Sequence, residues 1–216
     1  MIRAKLYITQ HGETLFNQLN KVQGWSDSPL SSKGSEDAIM LGRCLRHINF
    51  NKIYCSDSKR AFDTAYLIKK SALFNVPVIS DPRLREWCYG SFEGEPYKKL
   101  NRLLSSALST NDITSLNLRI PQICQIIKDA DTSGWTEDFT TIEKKLKSLI
   151  HDIARDSTEK YCNILIISHA CTIKTLIFLY GRNFLNSTNQ IDYLSISTLI
   201  YDNGTLHFEE VNNTYI

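Results

Sequence analysis

The chain has no excess of charge of either sign: 25 Lys and Arg stand against 23 Asp and Glu, a formal net charge of +2 over 216 residues. Basic and acidic residues interleave, so there is no broad positive face of the kind that holds nucleic acid or an anionic membrane, and any anion the protein recognises is expected to bind locally. Long apolar runs are missing as well. The longest, Ile164-Leu165-Ile166-Ile167, is far short of a membrane span, and the first residues lack the apolar core and small-residue cleavage site of a secretory signal. A soluble, cytoplasmic protein is expected. The six cysteines (Cys44, Cys55, Cys88, Cys124, Cys162 and Cys171) form no Cys-x-x-Cys pair. That argues against a zinc knuckle and a thioredoxin-like motif, and leaves free buried thiols as the reading. The sequons at Asn186, Asn203 and Asn212 matter only in a secreted chain and are read as chance. No linker composition, internal repeat or low-complexity tract divides the sequence. With 42% hydrophobic residues, residues 1–216 are expected to form a single domain.

What the sequence does contain is alternation. Short strand-like runs recur at Leu6 to Ile8, Lys52 to Cys55, Val76 to Ile79, Asn163 to Ile167, Ser197 to Tyr201 and Thr205 to Phe208, most of them separated by segments of helical length. This predicts an α/β fold, a three-layer sandwich with a mixed, mostly parallel central sheet flanked by helices. Lys33 to His47 and Lys59 to Lys70 carry apolar residues near helical spacing and are expected to cover the sheet. Asn203-Gly204 between two apolar runs signals a tight hairpin, hence an antiparallel edge. The stretch from about 96 to 156 lacks a convincing strand, carries Ser/Thr/Asn-rich punctuation near Ser109 to Ser115, and ends in the helical pattern Phe139 to Ile153. It reads as a mainly helical insertion or cap, a place from which substrate access is commonly shaped.

Four strand ends carry chemistry. Lys5-Leu6-Tyr7-Ile8 stops at Thr9-Gln10-His11-Gly12-Glu13-Thr14, and Ile164-Leu165-Ile166-Ile167 stops at Ser168-His169-Ala170. In an open α/β sheet ligands collect at the carboxyl ends of strands, and two histidines so placed point to a shared site. Gly12 would let backbone amides approach an anion, while Thr14 or Asn17 would cap the next helix. Ile53-Tyr54-Cys55-Ser56 leads into Asp57-Ser58-Lys59-Arg60, a Ser/Asp-capped helix start that offers a guanidinium for bidentate contact with an anion. After the Val76 strand, Leu84-Arg85-Glu86-Trp87 places a carboxyl beside an indole, where desolvation would keep it protonated as a general acid.

These residues resemble the histidine phosphatase superfamily, the phosphoglycerate mutase-like proteins. Its signature, Arg-His-Gly-Glu-Thr followed by Asn, is similar to Gln10-His11-Gly12-Glu13-Thr14 with Asn17. The resemblance continues through Val22-Gln23-Gly24-Trp25-Ser26-Asp27-Ser28-Pro29-Leu30-Ser31, Ser56-Asp57-Ser58-Lys59-Arg60-Ala61 with Thr64, Leu84-Arg85-Glu86 with Gly90 and Phe92-Glu93-Gly94, and Ser168-His169. It implies a metal-independent phosphomonoester hydrolase without a cofactor, acting on a phosphorylated small molecule. His11 would be the nucleophile that becomes phosphohistidine, and Glu86 the general acid. Arg60, His169 and Asn17, with Gln10, Gln23, Gly24 and amides near Gly12 and Ala170, would hold the phosphoryl group.

The departure is Gln10, where the family's arginine contacts phosphate. Losing one charge-assisted contact costs roughly 1.5 to 3 kcal/mol, on the order of ten- to a hundredfold in rate if expressed in the transition state. An active but slow phosphatase is one expectation, and a phosphatase-like fold that binds phosphate esters without turnover is another. Mutase chemistry is the second reading, poorly supplied here, because family mutases resemble Glu-Arg-His-Tyr-Gly after the acid and carry paired arginines in the insertion. This chain has Glu86-Trp87-Cys88-Tyr89-Gly90 and only isolated residues such as Arg102 and Arg119. His47, His151 and His207 read as surface or filler histidines, Glu13 and Glu93 as capping or solvated, and Trp25 and Trp87 as pocket wall. The oligomeric state is left open, a homodimer included.

Overall fold

The computed structural model describes residues 3–109, 117–155, 161–188 and 190–215. Six strands form one sheet: β1 (Arg3–Gln10), β2 (Lys52–Cys55), β3 (Val78–Ser80), β4 (Tyr161–Ser168), β5 (Ile196–Asp202) and β6 (Thr205–Asn213), in the order β3-β2-β4-β1-β5-β6. The β3-β2-β4-β1 half is parallel, and β5 and β6 complete it as an antiparallel edge. Asn203 and Gly204, at φ 49° and 89°, make the tight turn between them, the positive-φ pair that matches the twist of a two-residue hairpin.

Period-two alternation sends the two faces of each central strand into different cores. Leu6 and Ile8 of β1 and Ile164 and Ile166 of β4 join one cluster, while Tyr7, Leu165 and Ile167 join the other. The second face is covered by α2 (Ser32–Leu45) and α3 (Lys59–Ala72), which contribute Ala38, Leu41, Ala61, Ala65 and Ile68. The short α1 (Leu15–Gln18) precedes them. On the first face lie α4 (Tyr97–Leu108), α5 (Ile120–Ala130), α6 (Phe139–Arg155) and α7 (Ala170–Tyr180). The three-layer α/β expectation is borne out.

Between 96 and 156 the described residues hold three helices and no strand. Residues 110–116, where most of the predicted polar punctuation falls, and Asp156 lie outside the described residues. The segment is not uniformly a cap, because Leu146, Leu149 and Ile150 of α6 are fully buried in the sheet's own core. Each side chain removed from water so completely stabilises by about 1.5–3 kcal/mol. Among the described residues no helix is long and apolar enough to cross a membrane.

Candidate active site

Strand register brings the chemistry together. Gln10 ends β1 directly opposite Ser168 at the end of the parallel β4, so His11 and His169 emerge side by side, their ring centroids 5.1 Å apart. The amide of His11 still donates to Ser168 O at 3.0 Å, extending the ladder one step. Cys55, the last residue of β2, pairs with Ile167, and the chain then turns through Ser58 into α3, whose second residue is Arg60.

Arg60 is fully buried, and its five N–H donors all have acceptors. Nε donates to His11 Nε2 at 3.1 Å, Nη1 to Ser26 O and Asp27 Oδ1 at 3.0 Å each, and Nη2 to Gly24 O at 2.7 Å and His169 Nδ1 at 3.1 Å. The acceptors fix the tautomers. Because Nδ1 of His11 lies 2.8 Å from Gly12 O, an acceptor only, it carries the proton, and Nε2 presents a lone pair. By the same logic His169 is unprotonated at Nδ1 and keeps its proton on Nε2, 3.5 Å from Ser58 Oγ. Burial, reinforced by the Arg60 charge, lowers the His11 imidazole to about 3. The same two causes, with His11 itself, hold His169 well below its ordinary range. Both rings are neutral near neutral pH.

Glu86 is 5% exposed. Its Oε1 accepts from Trp87 N at 3.0 Å and Thr172 N at 2.9 Å, with Thr172 Oγ1 at 3.1 Å; Oε2 accepts only from Cys171 N, at 2.9 Å. Two of those amides belong to the first turn of α7, where the helix dipole favours an anion. Burial is the larger effect, and the carboxyl is shifted above its usual range. Thr172 Oγ1 also donates to Arg85 O and Ser168 Oγ to Leu84 O, which tie the Glu86 loop to the end of β4.

The remaining candidates divide. Gln10 is 6% exposed, and its Oε1 has no hydrogen-bond partner; it lines a depression of about 450 Å³ with Glu13, Asn17, Tyr97, Ala170 and Tyr193. Asn17 completes a capping box with Thr14, and with its Oδ1 so used it has Nδ2 to offer a ligand. A second depression, of about 250 Å³, reaches Glu86 and His169 from the side of Gly24, Trp25, Ser58 and Arg85. Three expected anion contacts, Gly12, Gln23 and Gly24, are built into the scaffold, Gly24 through its carbonyl to Arg60 and its amide to Glu93. Gly12 N donates to Thr64 Oγ1 at 3.1 Å, and Gln23 spans Thr14 Oγ1 at 2.6 Å and Ser28 Oγ at 3.2 Å. Trp87 is buried, its indole N–H donating to Thr175 Oγ1 at 3.1 Å, whereas Trp25 is half-exposed beneath the Arg85 guanidinium, 4.9 Å from its ring centroid. His47, His151 and His207 are all exposed. The capping of α3 differs from expectation: Ser58 makes no side-chain cap, and Asp27 Oδ2, on another loop, takes the Lys59 amide at 2.6 Å.

Sequence reasoning missed Glu93, expected to cap or face solvent. Its carboxylate accepts from the amides of Gly24, Trp25, Ser26 and Tyr89 at 2.8–3.0 Å and from Ser26 Oγ at 2.5 Å. It therefore ties the loop whose carbonyls grip Arg60 to the loop that follows Glu86. Gly24 has to be glycine there, since a Cβ would overlap the Trp87 carbonyl oxygen. Replacing Glu93 with alanine leaves those donors without their acceptor. It is expected to cost about 2–4 kcal/mol, read as a lower urea midpoint at constant m, and to lower turnover by loosening Arg60.

The geometry agrees with what the chain is similar to. A fructose-2,6-bisphosphatase TIGAR of Xenopus laevis is 37% identical over 110 residues, 50% of this chain and 40% of the relative, so the chain matches less than half of that protein's length. A putative phosphoserine phosphatase 2 of Hydrogenobacter thermophilus is 28% identical over 96% of this chain and 98% of its own. Among solved structures, phosphoglycerate mutase from Bacillus anthracis superposes with a TM-score of 0.91 at 30% identity, covering 98% of this chain and 94% of that one. Residues 6–214 match the histidine phosphatase superfamily (branch 1), and the chain belongs to that family.

Proposed function

We propose that the protein is a phosphomonoester hydrolase that works through a phosphohistidine on His11. The observation that carries the reading is Arg60, which bridges the lone pairs of two neutral, buried imidazoles, His11 Nε2 and His169 Nδ1. An arriving phosphoryl group exchanges its oxygens for those imidazoles at the guanidinium, which frees Nε2 to attack phosphorus and gives the anion a charge to lean on. As the N–P bond forms, the ester P–O bond breaks. Its electron pair stays on the alcohol oxygen, which takes the proton from Glu86 Oε2, the less encumbered oxygen. Water then attacks the phosphohistidine while Glu86, now a carboxylate, accepts a water proton; the N–P pair returns to Nε2 and phosphate leaves. The Nδ1–H bond to Gly12 O keeps the imidazole in one tautomer throughout. No step calls on a metal, so release of phosphate from small phosphomonoesters is expected to persist in excess chelator. Loss of release on chelation overturns that part of the reading.

Gln10 stands at the position that resembles the arginine of the family signature, and we read it as a substitution that slows turnover. Gln10→Arg is expected to raise kcat/KM on the order of ten- to a hundredfold by restoring one charge-assisted contact. A rate unchanged or lowered in steady-state assays sinks that account. The match to a phosphoglycerate mutase over nearly the whole chain favours mutase chemistry as a second reading, in which the phosphoryl group on His11 returns to substrate. Incubation with 3-phosphoglycerate separates the two by its product: the 2-isomer for a mutase, free phosphate for a hydrolase.

A further inference from the structure

Beyond Glu86 a half-open cavity of about 270 Å³ lies between α4, α5 and the first turns of α7. Glu86 itself lines the neighbouring depression, and this cavity starts at the residues on either side of its carboxyl. Trp87 and Cys171, whose amides hold the two Glu86 oxygens, are part of its wall. Ala170 and Tyr97 line both this cavity and the depression that holds Gln10 and Asn17. An alcohol departing from Glu86 therefore has this space beside it.

The lining is mostly carbon. Leu100, Leu104, Ile120, Ile123 and Ile127 line it together with the aromatic residues Trp87, Tyr89 and Tyr97. Its polar residues are Tyr89, Tyr97, Asn101, Asn117, Cys171, Lys174 and Gln190, and four of these are already paired: Tyr89 OH lies 3.2 Å from Cys171 Sγ, and Lys174 Nζ donates to Asn117 Oδ1 at 3.0 Å. Burial pushes the Cys171 thiol up to about 12, so it packs rather than reacts. A cavity of ~150 Å³ with aliphatic and aromatic walls suffices for benzene, so one to two rings fit here. A polyol buried in the same place would leave hydroxyls without partners, each worth roughly a tenfold loss or more in binding.

Resting on the phosphomonoesterase reading, we propose that this cavity holds the alcohol portion of the substrate, and that the preferred class is phosphate monoesters of apolar, aromatic or branched aliphatic alcohols rather than of sugars or other polyols. The enzyme selects by the body of the leaving group and reads the phosphoryl group separately.

The test compares 1-naphthyl phosphate with glycerol 2-phosphate by phosphate release, alongside calorimetric titration of 1-naphthol, which needs no turnover. The expected result is a kcat/KM at least ~30-fold higher for the naphthyl ester, expressed mainly in KM. In Leu104→Trp, which fills the cavity, that ratio falls ~10-fold and naphthol uptake weakens in parallel; Ile123→Trp, filling it from α5, does the same if the first variant folds poorly. Equal kcat/KM for the two esters, or a ratio untouched by both variants, overturns the proposal. Naphthol uptake that both variants weaken, without phosphate release from either ester, upholds the cavity and overturns the hydrolase reading instead. Release without preference and without naphthol uptake does the reverse.

Discussion

His11→Ala is expected to abolish phosphate release, by at least ~10⁴-fold, the scale on which enzymes lose rate when a covalent nucleophile is removed. Among the described residues the structure offers no substitute. His169 is the other neutral imidazole in the cluster, yet its exposed lone pair, on Nδ1, is the one held by Arg60, and its proton sits on Nε2 toward Ser58. Cys171 is a protonated thiol at neutral pH. Phosphate release should vanish in the variant, and so should the acid-labile phosphoryl label that the wild-type protein takes up from substrate. Retained release at the wild-type rate excludes His11 as nucleophile.

The same substitution has a signature in stability. His11 is held neutral when folded, its pKa lowered from the ordinary 6.5 to about 3, so as pH falls below 6.5 the unfolded chain binds a proton that the folded chain refuses. Its contribution is present above pH 6.5 and is lost as pH falls from there toward 3, at up to about 1.4 kcal/mol per pH unit. His169 acts in the same direction, and Glu86, shifted upward, acts against them. Comparing the variant with wild type isolates the first group. Between pH 7 and pH 5 the wild type should lose about 2 kcal/mol more than His11→Ala in urea unfolding.

Residues at strand ends were readable in advance because two features coincide there, an apolar run that stops and a reactive side chain just past it. His11, His169 and Arg60 follow β1, β4 and β2 in this way, and adjacent parallel strands leave them no other place to meet. What escaped the sequence is who satisfies whom. Gly12 looks like an open anion contact until Thr64, 52 residues on, takes its amide. Asp27 caps α3 from a loop 32 residues away, a pairing no local cap signal encodes. Glu93 looks like any surface glutamate, since its five donors come from two loops that only the fold brings together. The helix Phe139–Arg155 showed its amphipathic pattern plainly, yet the pattern does not say whether its apolar stripe covers a cap or the central sheet.

Glu86→Gln is expected to lower kcat by ~10²- to 10⁴-fold, the usual worth of a positioned general acid. The size of the loss should depend on the alcohol. Glutamine is close in size and can still take the amides of Trp87 and Thr172 on its Oε1, but its Nε2 only donates, so what disappears is the transferable proton on Oε2 together with the acceptor for Cys171 N. A leaving group that departs readily as an anion, such as p-nitrophenolate, needs that proton little, whereas an alkoxide needs it most. The variant should therefore retain far more of its activity on p-nitrophenyl phosphate than on an alkyl phosphate. The pH profile gives the sign independently. As the proposed general acid Glu86 must be protonated to act, and burial raises its pKa above the usual 4.5, so wild-type kcat/KM is expected to fall as pH rises through that raised value. His11, neutral down to about pH 3, imposes no acid limb above that. In Glu86→Gln the component of the alkaline fall due to Glu86 should disappear, leaving only the fall due to the second ionisation of the phosphate ester near pH ~6. If both esters lose rate equally and the profile keeps its wild-type shape, the proton comes from elsewhere, and Glu86 serves to anchor the first turn of α7 rather than to release the alcohol.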